Sequence, residues 1–244
     1  GKGFKEFDIA LNEAIEKAGY EGTEETCMKK QHALKMELNG WTIRWRQPEG
    51  AGPFPVILLL HGGTGDEDAM WVFAPRLPEN SLLIAPRAPH TTPMGGFGWH
   101  PHRAKVWPWV DDFRPAVTAL DEILLEELFP QADFSQLSLV GFSQGAALAF
   151  TFALLNPGRV HAVAGLAGFL PDGAGSLAVG HPLLDMPVYM AHGAQDELVP
   201  IARARQAQRI LQQAGAYVSF CEDDVGHKLS AACFRNLEIF FERV

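Results

Sequence analysis

Residues 137–155 read LSLVGFSQGAALAFTFALL: a short apolar run, a serine flanked by glycines, and a longer apolar run. The first run predicts a buried strand and the second predicts a helix. Gly141 and Gly145 lie two residues on either side of Ser143, where larger side chains would collide with the strand or the helix. A G-x-S-x-G turn between a strand and a helix is typical of a nucleophile elbow, which exposes the serine at the carboxyl edge of a sheet. Ser143 is therefore the candidate nucleophile.

A serine hydroxyl needs a base, and the base needs a third group that fixes its tautomer and offsets its charge. Asp196 follows an apolar strand candidate, in the loop at the edge where Ser143 is also expected. His227 follows the last strand candidate and precedes the final helix. The order Ser, Asp, His along the chain is that of an α/β-hydrolase. Asp223 and Asp224 are alternatives to Asp196, but neither follows a strand edge of its own.

The loop after the third strand candidate, HGGTGD at residues 61–66, is rich in glycine. Glycines let the backbone approach a substrate and turn its N–H groups toward an oxyanion. We expect the N–H of Gly63, or alternatively that of Thr64, to act with the N–H of Gln144. The position of His61 before the glycines indicates a ring that braces the loop. A phosphate-binding loop is disfavoured because no Gly-Lys-Ser/Thr follows.

Short apolar runs alternate with amphipathic helical ones, which predicts an α/β domain with a mainly parallel sheet and helices on both faces. The first two strands, joined by Asn39-Gly40, are expected to form an antiparallel hairpin. The predicted strands are His32–Leu38, Trp41–Arg46, Val56–His61, Leu82–Ala85, Leu137–Gly141, Ala162–Ala167, Val188–His192 and Tyr217–Cys221. The predicted helices are Phe113–Leu128, Gln144–Asn156, Pro200–Gly215 and Leu229 to about Glu242.

The segment from Phe4 to Ala18 carries apolar residues at steps of three and four, which predicts a separate amphipathic helix. We expect an N-terminal extension at residues 1–24 and one catalytic domain at residues 25–244. The apolar stripe of this helix packs either on the domain itself or on a partner subunit, so a homodimer is one alternative.

Composition excludes several classes of protein. The 244 residues are 47% apolar, which is enough for a large core, and the net charge is −9 with scattered basic residues. Nucleic acid and anionic membrane surfaces are therefore poor partners, and no apolar stretch is long enough to span a membrane. Three cysteines, Cys27, Cys221 and Cys233, lack the C-x-x-C spacing of zinc or redox sites, so we expect reduced thiols in a cytoplasmic protein.

Aromatic residues are concentrated in an aperiodic stretch between Met94 and Asp111 and just after the glycine-rich loop. Long aperiodic loops beside a catalytic edge are often functional, although large aromatic residues are also buried for packing alone. His100 and His102 do not predict a metal site, because a third ligand is missing. The candidate substrate-binding residues are Met70, Trp71, Phe97, Trp99, Trp107 and Trp109.

Taken together, these motifs resemble the phospholipase/carboxylesterase branch of the α/β-hydrolases, which includes acyl-protein thioesterases and small bacterial carboxylesterases. The resemblance spans about residues 30–244. It is carried by HGGTGDE (61–67), APRAP (85–89), GGFGW (95–99), GFSQGAALA (141–149), HGAQDELVP (192–200) and GHKLS (226–230).

The resemblance implies a cofactor-free serine hydrolase of esters or thioesters, with Ser143, Asp196 and His227 as the triad. A small-molecule ester or thioester is then the expected substrate. Two alternatives stay open: a dienelactone-hydrolase-like or peptidase specificity on the same scaffold, and a binding module without catalysis. The serine at the elbow disfavours a dienelactone hydrolase, which usually carries cysteine there.

Overall fold

A single eight-stranded sheet organises the computed structural model, which describes residues 33–38, 40–103 and 106–244. The strands of the sheet are β1 (Leu34–Leu38), β2 (Trp41–Arg46), β3 (Phe54–Leu60), β4 (Leu82–Pro86), β7 (Ala132–Phe142), β8 (Ala162–Leu166), β9 (Pro187–Gly193) and β10 (Tyr217–Asp223). Two short strands, β5 (His90–Thr91) and β6 (Phe97–Gly98), pair apart from it. The order across the sheet is β1-β2-β4-β3-β7-β8-β9-β10.

The direction of the strands follows from their composition. The central strand β3 reads FPVILLL and is almost entirely buried, as expected for a parallel strand covered on both faces. From β4 to β10 all neighbouring strands are parallel, whereas β1 and β2 form the predicted antiparallel hairpin at one edge. The carboxyl ends of β3, β7, β9 and β10 consequently meet at one edge of the sheet.

Helices cover both faces of the sheet, as predicted. One face packs against α1 (Val110–Asp121), α2 (Gln144–Leu155) and α3 (Ile201–Gln213). The other face packs against a 3₁₀ helix at Ala69–Arg76 and against α4 (Ala231–Phe241). A second 3₁₀ helix spans Ala174–Ala178. The chain thus has the α/β class expected from its sequence.

The helix predicted at Phe113–Leu128 differs from the structure. Helix α1 begins earlier, at Val110, and ends at Asp121, so that Leu124 and Leu128 lie in the irregular segment that follows. The Leu124 carbonyl accepts a hydrogen bond of 3.2 Å from the Arg159 guanidinium rather than one from a further helical turn. The helix therefore ends before the proline that the sequence indicated, and the Arg159 guanidinium, from a distant segment, contacts both its last residue, Asp121, and the segment that follows.

The prediction of reduced thiols is wrong for two of the cysteines. Cys221 on β10 and Cys233 on α4 form a disulfide, with their Cα atoms 5.7 Å apart. A spacing of 12 residues does not reveal this pairing, because it depends on α4 folding back onto the end of β10. The disulfide closes the segment that contains His227.

Several predictions lie outside the described residues. They are the amphipathic helix at Phe4–Ala18, the boundary at residue 24, the start of the first strand at His32, and the state of Cys27. Within the described ranges, no helix combines the length and apolar character that crossing a membrane requires.

Candidate active site

Ser143 sits on a sharp turn between β7 and α2, with φ at 54° and ψ at −114°. Glycine is required on both sides of this turn. A Cβ on Gly141 would collide with the Gly145 carbonyl, and a Cβ on Gly145 would collide with the Leu60 carbonyl of the neighbouring strand. The Ser143 N–H donates to the Leu166 carbonyl at 2.8 Å, which fixes the turn to β8. The side chain is thereby held beyond the carboxyl edge of the sheet in a conformation that few residues adopt.

Asp196 and His227 form a short hydrogen bond. The Nδ1–H of His227 donates to Asp196 Oδ2 at 2.7 Å, which leaves Nε2 as the free nitrogen of the ring. Asp196 Oδ1 accepts the N–H groups of Leu198 and Val199, both at 2.9 Å. Burial opposes ionisation of Asp196, but the hydrogen bonds from His227 and Val199 prevail and lower its pKa. The buried carboxylate therefore stays ionised and holds the ring of His227 in one tautomer.

The loops that carry these two residues are joined through their backbones. The Ala194 N–H donates to the Asp223 carbonyl at 2.7 Å, and the Gln195 N–H donates to the Val225 carbonyl at 3.0 Å. Asp223 and Asp224 are the alternative partners in sequence. Asp223 is half-buried and Asp224 is exposed, and the hydrogen bonds of their carboxylates go to other groups, including the Asp224 N–H and the Gln195 side chain. The structure therefore brings Asp196 to His227, and not either rival.

A second imidazole lies against the same carboxylate. His192 Nε2 donates to the Val199 carbonyl at 2.7 Å and lies 3.4 Å from Asp196 Oδ2. Its Nδ1 is buried without a partner among the described residues. Burial lowers the pKa of His192, so this ring is neutral and helps to hold the Asp196 loop.

Ser143 and His227 line one cavity of about 950 Å³ at the carboxyl edge of the sheet. The ring of Phe142 packs edge-on against that of His227, with centroids 5.1 Å apart. The Ser143 hydroxyl makes no hydrogen bond to a described residue. The cavity thus brings the serine and the histidine together, with the Asp196 carboxylate buried behind the histidine.

The three candidate oxyanion donors lie on the same cavity but differ in what their N–H groups bind. The Thr64 N–H already donates to the Phe97 carbonyl at 2.9 Å. Among the described residues, no partner accepts from the N–H of Gly63 or of Gln144. Gln144 is the first residue of α2, where backbone N–H groups are unpaired and the helix dipole is positive. The N–H groups of Gly63 and Gln144 can therefore donate to a bound oxygen. The Thr64 N–H would first have to give up its hydrogen bond to the Phe97 carbonyl.

His61 braces the glycine loop (residues 61–66), as its position in the sequence indicated. Its Nδ1–H donates to the Gly62 carbonyl at 2.7 Å, and its Nε2 accepts the Ala88 N–H at 3.0 Å. Burial lowers the pKa of His61 to about 4. The ring is consequently neutral at physiological pH, and its two nitrogens hold the loop against the segment after β4.

The residue after the glycine loop, Glu67, is the centre of an ion-pair network. Its side chain is only 2% exposed and binds Arg87 through two hydrogen bonds, of 2.7 and 2.8 Å, and Lys35 through one of 2.9 Å. Although burial alone would raise its pKa, the bonds to Arg87 and Lys35 lower the pKa of Glu67 to about 2. The network ties the end of the glycine loop to β1 and to the segment after β4.

We expect Glu67→Gln to lower the free energy of unfolding by about 2 kcal/mol at pH 7, because it removes the negative charge that Arg87 and Lys35 share. A carboxyl whose pKa is lower in the folded state stabilises the fold above its unfolded pKa. For Glu67 that contribution disappears as the pH falls from 4.5 toward 2. The unfolding free energies of wild type and Glu67→Gln, measured with denaturant between pH 7 and 3, should therefore approach each other as the pH falls.

Glu126→Gln is the matched control, since Glu126 is exposed. It should leave the unfolding free energy unchanged within about 0.5 kcal/mol. Equal losses of unfolding free energy in Glu67→Gln and Glu126→Gln would contradict the assigned role of the network. So would a difference in unfolding free energy between wild type and Glu67→Gln that stays constant down to pH 3.

Only two of the six predicted substrate-binding residues, Met70 and Trp107, line the cavity. Trp71 and Phe97 lie outside it, stacked under the guanidinium groups of Arg44 and Arg87 respectively. The other two, Trp99 and Trp109, are also absent from its walls.

Trp99 and Trp109 lie outside the cavity for opposite reasons. Trp99 is fully buried in the core, where its indole N–H binds a backbone carbonyl. Trp109 is 57% exposed at the start of α1 and faces solvent. An aromatic residue in an aperiodic segment can thus point toward the core, the cavity or the solvent, and its residue type does not distinguish these.

The structure adds apolar residues that sequence reasoning did not assign to the walls. Phe169 follows the carboxyl end of β8, and Leu198 lies two residues after Asp196. Their position just beyond strand ends was the signal that could have identified them. Further apolar lining residues are Phe73, Met94, Val106 and Phe142. Among the described residues, no three His, Cys, Asp or Glu side chains are grouped to hold a metal ion.

Comparison with known proteins agrees with this architecture. The family model described as phospholipase/carboxylesterase matches residues 48–243. Acyl-protein thioesterase 1 of Saccharomyces cerevisiae is 26% identical over 178 residues, which cover 65% of this chain and 77% of the yeast protein. Acyl-protein thioesterase 1 of Yarrowia lipolytica is 27% identical, with coverage of 63% and 74%.

Among solved structures, the carboxylesterase of Bacillus cereus superposes with a TM-score of 0.72 at 18% identity, covering 84% of this chain and 95% of that one. Esterase PE8 gives a TM-score of 0.73 at 23% identity, with coverage of 82% and 97%. At such identities, the likeness establishes the fold. Because the family model matches most of this chain, the chain belongs to the phospholipase/carboxylesterase family and is an ester hydrolase with an α/β-hydrolase fold.

Proposed function

We propose that the protein hydrolyses carboxylic esters, and thioesters by the same route, through an acyl-enzyme on Ser143. One observation carries the proposal. Ser143 and His227 line a single cavity, and the buried Asp196 carboxylate holds His227 through its Nδ1, so that Nε2 is free to serve as the base.

In the first half-reaction, His227 Nε2 takes the proton of the Ser143 hydroxyl as its oxygen attacks the carbonyl carbon. Asp196 stabilises the imidazolium that forms. The proton then passes from Nε2 to the departing alcohol or thiol, and the acyl group stays on Ser143. Hydrogen bonds between serine and base are often long without substrate and tighten in the complex.

The negative charge on the carbonyl oxygen is stabilised by the N–H groups of Gly63 and Gln144. Neither group donates to another described residue, and Gln144 adds the positive end of α2. Gly63 is favoured over Thr64 because the Thr64 N–H is already bonded to Phe97. Two preorganised donors of this kind account for a large share of catalysis, since the loss of one typically costs ~10² to 10³ in kcat.

In the second half-reaction, water replaces the alcohol. His227 Nε2 deprotonates the water, which attacks the acyl-enzyme, and the same two N–H groups hold the second oxyanion. The proton then returns to Ser143 and the carboxylic acid leaves. No redox cofactor is required for either half of this cycle.

Apolar walls favour esters with hydrocarbon acyl or alcohol groups. Met70 and Trp107 line the cavity together with Phe73, Phe142 and Phe169. Each methylene group that a substrate buries against such walls contributes about 0.8 kcal/mol to binding. We therefore assign Met70 and Trp107 to substrate binding and leave Trp71, Phe97, Trp99 and Trp109 out of it.

The proposal is tested with nitrophenyl esters from acetate to palmitate and with one acyl thioester. We expect hydrolysis of esters and of the thioester, and loss of both activities after treatment with a fluorophosphonate. If no substrate were hydrolysed and the protein did not react with the fluorophosphonate, the binding-module alternative would replace the proposal.

Cellular location and assembly stay predictions. The Cys221–Cys233 disulfide favours an oxidising compartment, because disulfides are rare in reducing cytoplasm. It therefore weakens the cytoplasmic expectation, which rested on reduced thiols. The homodimer and the absence of nucleic-acid partners likewise stay predictions.

A further inference from the structure

Trp99 is fully buried, yet it makes hydrogen bonds to two separate parts of the active site. Its indole Nε1–H donates to the His61 carbonyl at 2.7 Å. Its backbone N–H donates to Gln144 Oε1, also at 2.7 Å. The first partner begins the glycine loop and the second begins α2, and these segments approach each other only in the folded protein.

Each of these partners lies beside one of the two free N–H groups. The His61 carbonyl is two residues before Gly63, and Gln144 carries the second N–H itself. The Gln144 side chain also lies next to the loop, because a Cβ on Gly63 would be 3.9 Å from its amide atoms. A single buried residue is thus bonded to both elements whose spacing determines where an oxyanion can bind.

The orientation of the Gln144 amide is fixed at both ends. Because Oε1 accepts from Trp99, Nε2 faces His100 Nε2 at 2.9 Å and donates to it. For this hydrogen bond, Nε2 of His100 must be unprotonated. The other ring nitrogen of His100, Nδ1, donates to the Pro101 carbonyl at 2.9 Å. The indole is equally constrained, since it packs on the rings of His61 and Trp41 with centroids 5.0 and 6.5 Å away.

We propose that Trp99 is a positioning residue that joins the two halves of the oxyanion hole and sets the distance between the N–H groups of Gly63 and Gln144. The inference rests on the proposed function, because it assumes that these N–H groups bind an oxyanion. Trp99 lies outside the cavity, so it acts through the residues it holds and does not touch the substrate.

Tryptophan suits this position because it combines a rigid ring with a hydrogen-bond donor at its far edge. Phenylalanine would keep most of the packing but would leave the His61 carbonyl without its donor. The start of the glycine loop would then lose its bond to the residue that also binds Gln144, and only the backbone bonds of Thr64 and Gly65 to Phe97 would hold the loop to that segment. A displacement of even 1 Å in a catalytic group can cost ~10² in rate.

We therefore expect Trp99→Phe to lower kcat by about 10- to 100-fold on a nitrophenyl ester. KM should change by less than about threefold, because the donors act mainly on the charge of the transition state. Inhibition by an alkyl trifluoromethyl ketone, whose adduct with serine carries an oxyanion, should weaken by a factor similar to the loss in kcat/KM.

Trp45→Phe controls for the general effect of replacing a tryptophan, since Trp45 packs on Phe129 from β2, away from the cavity. It should leave kcat and inhibition unchanged. Gln144→Met removes the hydrogen bond from the Trp99 backbone N–H to Gln144 Oε1 without altering Trp99, and it should reproduce the loss in kcat. Rates are expressed per active site titrated with a fluorophosphonate, so a partly unfolded preparation does not mimic the effect.

The proposal is overturned if Trp99→Phe and Gln144→Met keep wild-type kcat and inhibitor affinity and only their melting temperatures fall. In that case ester hydrolysis by Ser143 would stand and Trp99 would be a packing residue. If wild-type protein neither hydrolyses esters nor reacts with the fluorophosphonate, the proposed function and this inference fail together.

Discussion

Replacing Ser143 with alanine should lower kcat for ester hydrolysis by about 10⁴- to 10⁶-fold, with the fold and the melting temperature preserved. The reason is that the hydroxyl is the only group on the elbow that can form the acyl-enzyme. Alanine keeps the Cβ, so the hydrogen bond from residue 143 N–H to the Leu166 carbonyl is retained. Labelling by a fluorophosphonate, followed by mass spectrometry, should disappear together with the activity.

Ser135→Ala is the matched control, because Ser135 is exposed near the start of β7 and its hydroxyl donates to the neighbouring Asp133 carboxylate. It should keep both activity and labelling. A Ser143→Ala protein that still hydrolyses esters at more than about a hundredth of the wild-type rate would show that another group carries the reaction.

Asp196→Asn should lower kcat by about 10⁴-fold without removing any ring or backbone contact of the active site. In wild type, Asp196 Oδ2 accepts the Nδ1–H of His227 and leaves Nε2 free for its proposed role as the base. An asparagine NH₂ at that place donates instead, which favours the tautomer protonated at Nε2. Such a ring cannot take the serine proton. Initial rates at saturating ester measure the effect.

Asp224→Asn tests whether the choice of carboxylate is right. Asp224 lies three residues before His227, but it is exposed and binds the Gln195 side chain. Its substitution should change kcat by less than about twofold. A large loss in Asp224→Asn together with an active Asp196→Asn would reverse the assignment.

The location of the candidate site was predictable because its signals are local. The glycines around Ser143 mark a turn that no larger residue could form, and apolar runs on both sides define the strand and the helix. Asp196 and His227 each follow a strand candidate, and the ends of parallel strands gather at one edge. The hydrogen bond between them then follows from the fold.

The features that were not predictable depend on contacts between distant segments. Helix α1 ends at Asp121, and the Arg159 guanidinium that contacts Asp121 and the Leu124 carbonyl comes from a distant segment. The disulfide requires α4 to return to β10. Likewise, only the folded protein separates Trp107 in the cavity wall from Trp99 in the core, since both are tryptophans in one aperiodic stretch.

The most direct test of the account is to identify the acylated residue. Wild-type protein is mixed with nitrophenyl acetate, quenched in acid within the first turnover, digested and mapped by mass spectrometry. We predict an acetyl group on Ser143, and its absence in Ser143→Ala. Rapid hydrolysis without any acetylated peptide, or with the acetyl group on a different residue whose replacement abolishes turnover, would contradict it.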